Sequence, residues 1–297
     1  MNIYSRFFDE IFSSPIIATH ASLLKYNAYL QAVKDGKILT FPDRPALNLA
    51  YYDPMQGFAM PDNKNADTQD SVAVIPVHGL LTRFGSWWDY GAEDYTTLLN
   101  EAYANDSVKA VVMDFECDGG TPNAMVVLAD AIKRKNKPVY GCVNMSAYSA
   151  ACYSIVHCNG VYASNNMARI GSVGIVSTTT NADKYYKDLG IEFKEVYPPE
   201  SDWKNKESRD LKKGDESTLI NEILSPWAIH FQDTVKANRP KLDLNVPGII
   251  SGRSFFANAG EFKAVDIGFI DGIKPLDELV KYAFTQSVAQ KAKQLFT

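Results

Sequence analysis

Lys109-Ala110-Val111-Val112-Met113-Asp114-Phe115-Glu116-Cys117-Asp118-Gly119-Gly120 opens on a near-continuous apolar run and closes on a glycine pair. A strand that is apolar at successive positions, rather than at alternate ones, suits a sheet covered on both faces. Upstream, Val72-Ala73-Val74-Ile75-Pro76-Val77 reads the same way, and Tyr95 to Asn105 between the two runs has helical spacing. Downstream the alternation continues, with a helix from about Asn123 to Lys135, a strand over Pro138 to Val143, a helix from Ser149 to about Cys158 and a strand over Gly160 to Ala163. Strands of this kind separated by helices form βαβ units, so the expected fold class is α/β.

Beyond Gly171-Ser172-Val173-Gly174-Ile175-Val176 the pattern predicts a helix around Ala182 to Leu189 and a strand over Glu192 to Tyr197. A long helix from Asp215 to about Ala237 and a final helix from Pro275 to about Leu295 follow. N-terminal to the first strand, residues 1 to about 45 place Phe7, Ile11, Ile16, Leu23, Leu24 and Leu30 loosely on one helical face, and Asn48 to Asp70 reads as a polar linker. The expected organisation is a helical extension and linker over residues 1–70, then one large domain over residues 71–297.

The chain has 297 residues, 46% of them hydrophobic, which is enough for a large core. A formal net charge of -5 and the lack of a dense Lys/Arg stripe argue against nucleic acid as a partner. Cys117, Cys142, Cys152 and Cys158 have no metal-ligand spacing and lie in or beside apolar segments, which reads as buried free thiols in a reducing cytoplasm. Neither a metal nor a cofactor is expected. Met1 to Ala18 mixes Arg6, Asp9 and Glu10 with apolar residues, unlike a signal peptide, and no run approaches the roughly 18 apolar residues of a spanning helix. The expectation is a soluble cytoplasmic protein without a membrane anchor.

Ser149 sits among small residues in Asn144-Met145-Ser146-Ala147-Tyr148-Ser149-Ala150-Ala151-Cys152-Tyr153, at a predicted strand-to-helix junction. As a helix-starting serine it is explicable as an N-cap. The same position suits a nucleophile, because the helix start also offers the Ala150 amide to a developing oxyanion. A serine hydroxyl is too weakly acidic to attack an amide unaided, and a desolvated lysine amine can take its proton. Lys204, beside Trp203 and after Tyr197-Pro198-Pro199, is the candidate base, with Lys206 as the alternate; an exposed loop charge is the other reading of either. Gly119 and Gly120 read as a tight turn on spacing alone, yet their amides could face a ligand at the carboxyl edge of the sheet.

Taken together, these motifs resemble the signal peptide peptidase family of serine-lysine proteases, and especially its phage-encoded branch of prohead or capsid proteases, over about residues 70 to 275. Val74-Ile75-Pro76-Val77-His78-Gly79-Leu80 is similar to that family's first strand and glycine turn, and Phe115 to Gly120 to its Asp-Ser-Pro-Gly-Gly segment, with Cys117 and Asp118 replacing Ser-Pro. Ala147 to Tyr153 is similar to the nucleophile helix start, and Gly171 to Ile175 to a Gly-Ser-Ile-Gly-Val signature. Gly252-Arg253 and Gly268-Phe269-Ile270-Asp271-Gly272 correspond to the closing elements. The resemblance implies Ser149 as nucleophile, Lys204 as base and Ser172 as the residue assisting the lysine. It also implies a ClpP/crotonase-like sheet spiral, assembled into a homo-oligomer whose active sites can be shared between subunits, with capsid or scaffold proteins as polypeptide substrates.

Competing readings are a bacterial enzyme that degrades remnant signal peptides, a catalytically silent assembly scaffold, a crotonase-like acyl-CoA enzyme and a Ser-His-Asp hydrolase. The last is disfavoured because His157, eight residues after Ser149, would lie roughly 12 Å along one continuous helix.

Overall fold

The computed structural model describes residues 17–18, 31, 35, 47–57, 70–86, 89–179 and 183–295. In chain order the first elements are β1 (Ile17–Ala18), β2 (Ala50–Tyr52), β3 (Ser71–Leu81), α1 (Ala92–Ala104), β4 (Val108–Gly120), α2 (Pro122–Lys133), β5 (Val139–Tyr148) and α3 (Ala150–Ile155). Then come β6 (Gly160–Ala163), β7 (Arg169–Gly171), α4 (Asp183–Asp188), α5 (Lys206–Lys212), α6 (Ser217–Leu219), α7 (Ser225–Asn238), β8 (Ser254–Phe256), β9 (Gly272–Ile273) and α8 (Leu276–Leu295).

The described strands form one nine-stranded sheet with the central order β2-β3-β4-β5-β6-β9. β3, β4, β5, β6 and β9 are mutually parallel, and β2 closes one edge antiparallel to β3. β7 runs parallel to the end of β5, and β8 pairs antiparallel with β7. This is the α/β class expected from the sequence.

The pleat explains why the strands read apolar at every position. Ala73, Ile75 and Val77 of β3 and Val111, Met113 and Phe115 of β4 point to one face, where they pack with Leu99 of α1, Leu128 and Ile132 of α2 and Tyr153 of α3. Val72, Val74, Ala110 and Val112 point to the other, under Leu279, Val280 and Ala283 of α8. Each such buried aliphatic side chain contributes about 1.5–3 kcal/mol of transfer free energy. The helix starts are marked in the sequence: the Gly91 N–H donates to Asp94 Oδ2 at 2.9 Å ahead of α1, and Thr121 caps α2 before Pro122.

Four segments differ from the sequence expectation. Most of the stretch expected to be helical, residues 1–45, lies outside the described residues, but Ile17–Ala18 within it is a strand. Ala50–Tyr52 in the expected linker joins the sheet through Val72, Ala73 and Val74, since two tyrosines suit a half-buried edge. The strand expected over 192–197 is not formed: residues 192–196 are exposed, and no strand among the described residues pairs with them. The long helix is interrupted by a π-helical segment at Ile220–Leu224, just before Pro226, which has no N–H for the regular ladder.

The end of α7 is locked to the loop before β9 by Arg239, 8% exposed, whose guanidinium meets Asp271 bidentately at 2.8 and 3.0 Å and also donates to the Gly268 carbonyl. Asp271 additionally accepts the Val161 N–H at 2.8 Å. Burial works to raise the Asp271 pKa, but these donors prevail and hold it below the ordinary carboxylate value. A depressed folded-state pKa contributes stability above the unfolded value, near 3.9, that is lost as pH falls through the folded one. Asp271→Ala should therefore cost about 2–3 kcal/mol at pH 7 in urea unfolding, less than a fully buried pair because Asp271 remains partly solvated. The gap from wild type should close in acid; a gap independent of pH would show that the ion pair is not its source.

Candidate active site

The parallel strands deliver Ser149, Gly119 and Gly120 to one edge. β4 and β5 pair as far as Cys117↔Ala147, with a register shift between Phe115↔Val143 and Glu116↔Ser146, after which β5 leaves β4, pairs Tyr148 with Gly171 of β7, and turns into α3 at Ser149. Ser149 follows two residues after that last pair, so it lies with the end of β4 at the carboxyl ends of the strands, where open α/β sheets bind ligands.

Ser149 is not a conventional cap. Its backbone has φ 54° and ψ -114°, and its side chain makes no capping hydrogen bond. The N–H donates to the Gly171 carbonyl at 2.9 Å, and the Ser149 carbonyl accepts the Tyr153 N–H at 2.9 Å. The residue is 3% exposed, and Oγ is buried with no hydrogen-bond partner among the described residues. A non-glycine residue in this region of backbone space stores about 1–3 kcal/mol of strain. A sharp strand-to-helix turn that lifts a serine hydroxyl clear of the sheet is the geometry of a nucleophile elbow.

Gly171 and Ser172 form the adjoining wall. Ser172 also has positive φ, 57°, and its N–H donates to the Arg253 carbonyl at 2.9 Å. A Cβ on Gly171 would approach that same carbonyl to 2.6 Å. On the opposite side Gly120 is required sterically, since a Cβ there would sit 1.7 Å from the Leu81 carbonyl oxygen. The glycine pair is thus the end of β4 rather than a free turn. Ala150, fully buried, opens α3, and its N–H belongs to the first helical turn, where amides lack intrahelical acceptors.

Cys117 and Asp118 take ordinary structural roles. The Cys117 thiol is buried, donates to the Gly119 carbonyl at 3.6 Å and is pushed up to about 12 by burial; Asp118 accepts the Ser146 hydroxyl at 3.4 Å.

The lysines lie elsewhere. Lys204 is exposed, in a turn after Pro199–Ser201, and forms no side-chain hydrogen bond or ion pair among the described residues. Trp203, expected to shelter it, is 63% exposed. Lys206 is engaged with Asp210, which also accepts the Thr218 hydroxyl, and stacks over Trp203. Within one chain neither amine reaches Ser149 Oγ, and none of the described histidines does. His157 is pushed down to about 4 by burial and by Lys133 and Lys135, while His230 bonds the Tyr153 hydroxyl at 2.9 Å. His78 pairs with Asp114 at 3.7 Å. A cavity of about 710 Å³, lined by residues including Asp106, Lys109, Lys137 and Asn159, opens at the opposite edge of the sheet and contains none of the candidate residues.

The pattern of peptidase family S49 matches residues 131–290, more than half of the chain. The head-tail preconnector protein GP5 of Enterobacteria phage P21 is 27% identical over 135 residues, a stretch covering 43% of this chain and 27% of that protein's length. Among solved structures, a variant of the 1510-N membrane-bound stomatin-specific protease in complex with a substrate peptide aligns at 14% identity and a TM-score of 0.44, covering 71% of this chain and 79% of that one. An enoyl-CoA hydratase/isomerase family member aligns at 15% identity and a TM-score of 0.40, covering 76% of this chain and 73% of that one.

The strain at Ser149 generates a stability test. Ser149→Gly should raise the thermal midpoint by about 2–4 °C, since glycine adopts positive φ freely, whereas Ser149→Ala keeps the strain and should leave it nearly unchanged. Equal midpoints for the two variants would mean that the turn is relaxed.

Proposed function

The chain belongs to peptidase family S49, and we propose that it is a serine endopeptidase whose nucleophile is Ser149. The observation that carries this reading is the Ser149 hydroxyl, without a hydrogen-bond partner among the described residues, on a strained turn at the carboxyl ends of the strands. Ser149 Oγ attacks the scissile carbonyl, and the neutral amine of Lys204 takes its proton. N–H groups of Gly119, Gly120 and Ala150 receive the oxyanion, each such donor contributing about 3–4 kcal/mol in the transition state. The proton passes to the leaving amine, and water hydrolyses the acyl-enzyme ester. Ser172 orients the lysine.

Assembly completes the site in this reading. Ser149 Oγ has no hydrogen-bonded base among the described residues, while Lys204 lies in a segment that exposes Leu189, Ile191, Phe193, Val196 and Trp203. An apolar surface of that kind is favourable only when covered, and a second copy covering it would bring Lys204 to a neighbouring Ser149. Lys206 is the weaker candidate because its amine is already engaged by Asp210. The phage-head relative supports capsid or scaffold proteins as substrates.

Ser149→Ala should lower peptide hydrolysis by on the order of 10⁴-fold or more and abolish labelling by a fluorophosphonate probe. A wild-type protein that the probe does not label would instead be a silent assembly component. Lys204→Ala and Lys204→Arg should both be inactive, since arginine stays protonated, with Lys206→Ala near wild type.

Mixing Ser149→Ala with Lys204→Ala subunits should restore roughly a quarter of wild-type activity, the fraction of interfaces that pair an intact Ser149 with an intact Lys204. An oligomer without complementation would return the base to the nucleophile's own chain.

A further inference from the structure

β4 has two edges at its carboxyl end, and each has an occupant. On the β3 side Gly120 pairs with Leu81, whose carbonyl also accepts the Thr121 N–H at 3.0 Å. On the β5 side the ladder stops at Cys117↔Ala147, because β5 turns away to β7 and Ser149. The edge of Gly119 and Gly120 left over by β5 is taken by β1, antiparallel, with Ile17 opposite Gly120 and Ala18 opposite Gly119. β1 thus lies along the end of β4 that follows the last β5 pair, the strand end at which β5 turns into Ser149.

Main-chain pairing of an extended segment along a strand edge is how sheets capture peptides, and two glycines at that edge let another backbone approach closely. The occupant is this chain's own: a short strand far from β4 in sequence, with Ala18 opposite Gly119 and Ile17 opposite Gly120. We infer that the segment centred on Ile17–Ala18 is an intramolecular peptide ligand of the substrate groove, which must leave the Gly119–Gly120 edge before another polypeptide binds there. The occupancy rests on strand pairing alone; only its kinetic consequence rests on Ser149 being the nucleophile.

The test is a full-length Ile17→Pro/Ala18→Pro double variant, which removes both N–H donors of β1. Amide hydrogen exchange in residues 117–121 should speed up by about tenfold or more, and a synthetic Ser-Pro-Ile-Ile-Ala-Thr-His-Ala peptide, matching residues 14–21, should slow it again. In peptide hydrolysis the variant should show KM lowered about tenfold with kcat unchanged. Faster exchange reversed by the peptide, in a protein that hydrolyses nothing, upholds the occupancy and sinks the Ser149 reading instead. Unchanged exchange and unchanged KM in the double variant overturn the inference.

Discussion

The hydrogen bond from the Ser149 N–H to the Gly171 carbonyl holds the candidate site together. It fixes the point where β5 gives way to α3, and it ties that point to β7, whose neighbour Ser172 is fastened in turn to the Arg253 carbonyl. A relay of main-chain bonds thus runs from residue 149 through 171 and 172 to 253, joining segments remote in sequence, and the Arg169 guanidinium donating to the Ser254 hydroxyl at 2.6 Å reinforces its far end. The strained Ser149 backbone persists because α3 behind it is buried throughout, from Ala150 to Ile155, and cannot rotate to relieve it.

The central sheet was legible because burial on two faces writes itself as unbroken apolar runs, and β3, β4 and β5 carry them. The grouping of Ser149, Gly119, Gly120 and Ser172 was legible through motif order, since each ends or follows a strand of a parallel sheet. The positive φ of Ser149 and Ser172 was not, because serine has no intrinsic preference for that region and only tertiary contacts impose it. β1 and β2 were missed for a related reason: two or three residues are too few for a period, and their pairing is decided by which strand edge happens to be open.

The segment around Lys204 marks where reading from sequence stops. Aromatic and aliphatic residues between 189 and 203 look like strand and shelter in a linear reading, yet Leu189, Ile191, Phe193, Val196 and Trp203 stay exposed, Phe193 resting edge-on against the Tyr186 ring. Local ties organise the region instead: Asp210 gathers Lys206 and Thr218, and Arg209 lies over the Tyr197 ring. Propensity describes what such residues prefer to touch; it does not say in which molecule the contact is found.

All four cysteines are free, and Cys142 packs against α8 on one face of the sheet while Cys117 and Cys152 lie on the other. The Cys117, Cys152 and Cys158 thiols are pushed up to about 12 by burial, and Cys142 is pushed well above the usual range for the same reason. Thiolate is the species that alkylating reagents and oxidants attack. The buried Cys117, Cys142 and Cys152 are thereby shielded from maleimides, which leaves the partly buried Cys158 as the one native thiol to replace before a single surface cysteine becomes a unique attachment point for a fluorophore or spin label.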